Sequence, residues 1–134
     1  MTHNSFITFE INKAKRMRIT TAHGKITDRI LFEAFEKLTS VFDYDGTLHE
    51  LVDLRRIEQL QVTTEGLNLL EKRFGAQMFR SPNRVAIVAA DDYIFEMARV
   101  YEKLSWKSEL IVVTRSIDAA LMWLELPPAQ NSPG

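Results

Sequence analysis

Apolar and polar positions alternate with a period of two at the start of the chain. Ile7, Phe9 and Ile11 share one face of residues 6–11, which predicts a strand. In residues 16–21, Met17 and Ile19 stand opposite Arg18 and Thr20, a second strand, and the polar stretch Asn12-Lys13-Ala14-Lys15 between the two reads as a hairpin loop. Gly24 marks the exit. The period then changes. Leu31, Phe35, Leu38 and Phe42, widened by Ala34 and Val41, form one stripe over residues 28–42, a helix with Thr27 as its N-cap. Asp43-Tyr44-Asp45-Gly46 is rich in turn formers and stops it. Residues 51–54 read as a short strand. Residues 63–74 read as a helix with Leu67, Leu70 and Phe74 on one side, ending at Gly75. Residues 85–90 are apolar throughout, as expected of a strand buried on both faces. Asp92 opens a third helix with Ile94, Phe95, Ala98, Tyr101 and Leu104 inward. Residues 110–113 form another buried strand, and Ser116 caps a last helix through Leu124.

The order is therefore β-β-α-β-α-β-α-β-α. Strands separated by helices pair in parallel through crossovers, and the first hairpin adds an antiparallel pair. The expectation is a single α/β domain over residues 1–126, with a mixed sheet of about five strands and four helices. Pro127, Pro128 and Pro133 mark residues 127–134 as a flexible C-terminal tail.

Composition narrows the function classes. With 134 residues, 46% hydrophobic and 26% charged, the chain can bury roughly two-thirds of its unfolded surface around one core. There are no cysteines, which excludes disulfides, thiolate metal sites and cysteine nucleophiles. The start shows no signal-peptide pattern and no run reaches the ~20 apolar residues of a membrane span, so a cytoplasmic location is expected. A net charge of −1 gives no general reason to expect nucleic acid as a partner. His3, His23 and His49 show no ligand spacing, and there is no nucleophile elbow or Gly-rich phosphate loop. No metal, cofactor or catalytic residue is therefore expected.

One motif points to chemistry. Phe42-Asp43-Tyr44-Asp45-Gly46-Thr47-Leu48 resembles the nucleophile loop of the haloacid-dehalogenase phosphatases, in which the first Asp attacks phosphorus and magnesium neutralises the phosphate. Asp91-Asp92 resembles that family's acidic pair and Thr114 its phosphate-binding hydroxyl. Three features oppose a phosphatase acting through Asp43. The residues before it have helical rather than strand period. The strand bearing Thr114 follows the strand of the acidic pair instead of preceding it. The chain is also short for that core.

A second resemblance spans residues 6–124. Leu51-Val52-Asp53-Leu54, then Val62-Thr63-Thr64-Glu65-Gly66-Leu67, is similar to the Val/Leu-Asp-Leu strand and Asp-Ser-Ser-Gly-Leu helix start of the STAS superfamily, which includes the anti-sigma factor antagonists. More closely, the chain resembles an uncharacterised bacterial STAS-like group that is compared with CRAL-TRIO lipid-binding domains. The features are Gly24-Lys25-Ile26-Thr27, Leu51 to Arg55, Arg84 to Val88, and Ala119 to Leu124. The resemblance implies a non-enzymatic regulatory or protein-interaction module, with itself or a regulator as partner. It also implies phosphoacceptor candidates at Thr63 and Thr64; Val62 stands where those proteins carry Asp, and the simpler role of either Thr is to cap the helix.

Two further features bear on partners. Lys13, Lys15, Arg16 and Arg18 form a basic hairpin that reads as a solvated edge discouraging sheet-to-sheet pairing. Tyr93, Phe95, Met97, Tyr101 and Trp106 put bulk in and after the third helix. They are candidates for the lining of a pocket for an apolar, lipid-like ligand or for a dimer seam; ordinary core is the simpler role for Phe95 and Tyr101.

Overall fold

A computed structural model of the chain describes residues 4–41, 44–78 and 83–126. The elements run β1 (Phe6–Asn12), β2 (Met17–Thr27), α1 (Asp28–Thr39), β3 (His49–Gln61), α2 (Thr64–Met78), β4 (Val85–Val88), α3 (Asp92–Leu104), a single 3₁₀ turn (Ser108–Leu110), β5 (Ile111–Thr114) and α4 (Ile117–Glu125). The sheet has five strands in the order β1-β2-β3-β4-β5; β1 is antiparallel to β2 and every other pair is parallel. The expected α/β fold with a mixed sheet is what forms. The 127–134 tail and Asp43 lie outside the described residues.

A strictly sequential strand order with right-handed crossovers puts α1, α2 and α3 on one face. Alternation along β4 divides the two layers. Val85 and Ile87 meet Phe35 of α1, Phe74 of α2 and Ala98 of α3. Ala86 and Val88 point the other way, where Ala120 and Leu124 of α4 close on them with Met17 and Leu51. Each fully buried large apolar side chain, such as Phe74, contributes about 1.5–3 kcal/mol relative to exposure. The expected caps hold two of these helices: Thr27 Oγ1 accepts from Ile30 N at 3.2 Å, and Ser116 Oγ from Ala119 N at 3.2 Å.

Four expectations change. Gly24 does not end β2; it sits inside it at φ +79°, and a side chain there would collide with Asn4 O. β3 runs seven residues past Leu54. Its pairing with β2 jumps twice, from Thr21↔Asp53 to His23↔Arg56 and from Gly24↔Ile57 to Lys25↔Gln59, so each irregularity gives β3 one extra residue. Bulges of this kind turn a period of two into a spacing of three, which keeps Leu54, Ile57 and Leu60 on the helix-covered face. Gly75 does not stop α2, which continues through Met78; one interior glycine costs only about 1 kcal/mol, and Gln77 ties the last turn to Thr39 O at 3.1 Å. Helix α1 stops at Thr39 rather than residue 42, with Thr39 and Ser40 hydroxyls bonding back to Phe35 O and Lys37 O.

Candidate ligand cavity

Between the sheet and the layer of α1, α2 and α3 lies a cavity of about 110 Å³. It follows β3, whose Glu50, Val52, Leu54, Ile57 and Leu60 form its floor, beside Ala22 and Ile26 of β2. Leu31 and Phe35 of α1, Leu67 and Leu70 of α2, and Ile94, Met97, Ala98 and Tyr101 of α3 cover it. Nearly every wall is aliphatic or aromatic. The polar side chains are Glu50 and Tyr101.

Glu50 is placed there by the alternation that puts Val52 and Leu54 inward. It is 1% exposed, and its carboxylate pairs with the guanidinium of Arg18, also 1% exposed. Arg18 donates in addition to Asp45 O and lies over the Tyr44 ring at 4.6 Å. Burial pushes the Glu50 carboxyl up to about 7, against the pull of Arg18. Thr20, one residue pair along β2, is 3% exposed; its Oγ1 makes no hydrogen bond of ordinary geometry, although the hydroxyl lies close enough to Glu50 to favour its charged form. Lys107 is 4% exposed and donates to Asn83 Oδ1, and Asn83 in turn donates to Leu48 O. Burial lowers Lys107 to about 8, while Glu50 and Glu71 draw it back up.

At the α2–α3 seam, Tyr101 donates its hydroxyl to Glu71 Oε1 at 2.9 Å. Burial first, and then Glu71, hold that phenol well above its ordinary range. The other Glu71 oxygen accepts from Trp106 N at 3.3 Å, and the Trp106 indole N–H donates to Gly75 O at 3.4 Å. The carboxylate of Glu71 folds over Gly75, where a Cβ would meet it.

The aromatic candidates divide. Met97 and Tyr101 line the cavity. Phe95 faces another way, with Arg115 over its ring at 4.4 Å. Tyr93 and Trp106 are 55% and 59% exposed. The helical period explains the split: Ile94, Met97, Ala98 and Tyr101 form one stripe, from which Tyr93 and Phe95 are rotated. Arg18 corrects the reading of the basic hairpin, since it is the buried partner of Glu50. Lys13, Lys15 and Arg16 remain exposed, with Lys15 Nζ 3.9 Å from Glu125. The signal for Glu50 was its place in His49-Glu50-Leu51-Val52-Asp53-Leu54, where alternation gives it the face of Val52 and Leu54.

Thr63 and Thr64 sit away from the cavity, at the start of α2 and both exposed. Thr63 Oγ1 accepts from Gly66 N at 2.9 Å and donates to Asp28 Oδ2 at 2.7 Å, while its backbone N donates to Asp28 Oδ1. The hydroxyl is thus a helix cap tied to α1. A phosphoryl group on it would displace Asp28 and face its negative charge. On the central strand β3, Asp53 binds Arg55 through both oxygens at 2.9 Å; burial works against its charge, but Arg55 holds it below the usual carboxylate range. Asp91 caps α3 by accepting from Ile94 N, Asp92 pairs with Arg115 at 2.8 Å, and Thr114 Oγ1 accepts from Ser116 N. The acidic pair and the threonine of the phosphatase resemblance are therefore engaged in caps, turns and an ion pair. Among the described residues, no three His, Asp or Glu side chains converge on a metal-sized site, and no helix is long and apolar enough to cross a membrane.

No family model matches the chain, and no curated protein matches it. Among solved structures it is similar to an uncharacterized protein of the DUF3478 family, with a SpoIIAA-like fold, from Shewanella loihica PV-4. Identity is 20%, coverage 92% of this chain and 96% of that one, and the TM-score 0.59. The fold is accordingly SpoIIAA-like, the STAS type that the strand and helix order anticipated.

Proposed function

We propose that this chain is a non-enzymatic binding module that takes a small apolar ligand between its sheet and the α1–α3 layer. The observation that carries the reading is the cavity itself, about 110 Å³ and almost wholly apolar. A void of that kind holds no well-bonded water, and an engineered apolar cavity of ~150 Å³ takes up benzene. The reading as a binding module rather than a phosphatase draws support from what flanks Asp43. The element that precedes it in the chain is the helix α1, Asp28–Thr39, and not a strand. Toluene added to the full chain should shift the methyl resonances of Leu54, Leu70 and Met97 and raise the unfolding temperature with concentration. Toluene that leaves both unchanged overturns the proposal.

A second reading, a surface for a protein partner or a second copy of the chain, has its own observation. Trp106 is 59% exposed, yet its ring is fixed by Gly75 O and lies 5.7 Å from Lys107 Nζ. A rigid exposed indole is the type of side chain that anchors protein interfaces. Sedimentation at rising concentration should reveal self-association that Trp106→Ala weakens. A monomer at every concentration counts against the second-copy form.

A further inference from the structure

The sheet ends in two edges of different kinds. At one end β5 offers four residues; at the other β1 offers seven, Phe6 to Asn12. Among the described residues, β2 is the only strand neighbour of β1, and the seven make no backbone hydrogen bond outside that pairing. Proteins blunt a long free edge with proline, a bulge or a row of charges. The strand Phe6-Ile7-Thr8-Phe9-Glu10-Ile11-Asn12 has no proline, pairs with β2 without a break from Phe6↔His23 to Asn12↔Met17, and carries Glu10 as its one charge. The basic residues Lys13, Lys15 and Arg16 lie past Asn12, in the turn, and so do not guard the strand itself. Two of the large apolar side chains that the domain leaves open are also here, Phe6 at 42% and Ile11 at 56% exposure.

The residue pattern of this edge is complementary to itself. We propose that the chain forms a two-fold dimer through β1, with Phe9 on the axis and the two sheets joined into one. A second β1 turned about that axis runs antiparallel, and every residue of the strand finds a partner. On the helix-covered face, where Ile7 and Phe9 already pack, Ile7 of each copy meets Ile11 of the other and the two Phe9 rings face each other. On the opposite face Phe6 meets Asn12 and Thr8 meets Glu10, so no like charges stand directly opposite. An axis at Glu10 would set two carboxylates face to face and bring Lys13 opposite Ile7; an axis at Thr8 would leave Ile11 opposite Ser5. The pairing closes on itself, because it consumes the long edge of both copies and leaves only the short β5 edges outside. It is separate from the cavity and from Trp106, which is fixed at the α2–α3 seam. A strand-to-strand contact of this length is small, so a concentration-dependent dimer is expected.

Sedimentation equilibrium of the full chain carrying Trp106→Ala, in which the exposed indole cannot contribute, tests this up to about 1 mM chain. It should pass from monomer to dimer and no further. Adding Ile11→Lys, at an exposed position, should weaken association about tenfold, because each copy then sets an ammonium against Ile7 of the other. Thr8 reads the register. Thr8→Lys places a cation opposite Glu10 twice and should tighten the dimer about threefold at low salt, whereas Thr8→Glu should weaken it by about the same factor. Circular dichroism checks that each variant is folded; should Ile11→Lys fail to fold, the two Thr8 variants decide. A monomer at every concentration overturns the proposal. So does a dimer indifferent to Ile11→Lys, or one on which Thr8→Lys and Thr8→Glu act alike. Species larger than a dimer overturn the closed two-fold arrangement. None of these outcomes bears on the cavity, whose test is the toluene titration.

Discussion

The two faces of the sheet are covered in opposite ways. On the α4 side, Ala86 and Ala120 are 0% exposed and small side chains let helix and sheet approach closely. On the other side, α1 brings Phe32 and Phe35 and α2 brings Phe74, whose rings meet edge-on or tilted at 4.9 and 6.3 Å between centroids. Larger side chains there still leave a cavity. The difference lies in what each layer spans. Helix α4 covers only the part of the sheet where β2, β3, β4 and β5 lie side by side, whereas the three-helix layer must also roof the bulged extension of β2 and β3. Side-chain size does not decide whether a layer is filled; the match between the layer and the curvature of the sheet beneath it does.

The strongest way to break this comparison is through the charge pair that only the hollow side contains. Glu50→Leu leaves Arg18 buried and unpaired, and should cost about 3–5 kcal/mol in urea denaturation. The double change Arg18→Met/Glu50→Leu should recover most of that loss. Arg18→Met alone leaves a carboxyl that can take up a proton, so it should cost less at pH 5 than at pH 8. A cost independent of pH would refute the buried-pair account. The sign for the natural chain follows from the raised Glu50 value. Its stabilising protonation is complete below the unfolded value, near 4.5, and is lost as pH rises through about 7. His49 acts in the opposite direction, since burial lowers its value, so the effect of Glu50 is the difference between the natural chain and the double variant. That difference should diminish with rising pH and then flatten.

Volume is the next lever. Ala86→Leu on the closed side should cost about 1–3 kcal/mol by overpacking. Ala22→Leu, directed into the cavity, should cost less than 1 kcal/mol and abolish binding of small apolar probes. Equal costs at the two sites would remove the contrast. The smallest expected effects lie at the helix starts. Thr27→Ala on α1 and Ser116→Ala on α4 should each cost about 1 kcal/mol, because each removes one capping hydrogen bond. Similar values would place the difference between the faces in their packing and not in their helices.

Much of the fold was legible because its signals are local. The change from period two to period 3.6 located α1, and the apolar run at 85–90 located β4, buried on both faces. The two capping hydroxyls lay one residue before the helices they start. The extension of β3 was not legible, since its bulges depend on the pairing with β2 and turn Leu54, Ile57 and Leu60 into a spacing that no strand template contains. Half of the cavity's polar end was hidden for a different reason. Arg18 alternates correctly with Met17 and Ile19, but a charged residue beside three basic neighbours reads as solvent-facing until Glu50 appears opposite it. Met97 and Tyr101 could be singled out as bulky residues on α3, whereas placing Tyr93 and Trp106 outside required the helix to be docked on the sheet.

The bulged extension has a kinetic consequence. Strand β4 pairs only with Glu50 to Asp53, so beyond those residues β3 has β2 alone as a neighbour, and past His23 β2 in turn has lost β1. The far half of the cavity floor is thus a two-stranded ribbon, a type of element that is marginal by itself. Its amides should exchange with solvent sooner than those of β4, through openings that leave the rest of the sheet intact. Guests would then enter and leave at the fraying rate of that ribbon, and residence time would be set independently of the stability of the whole domain.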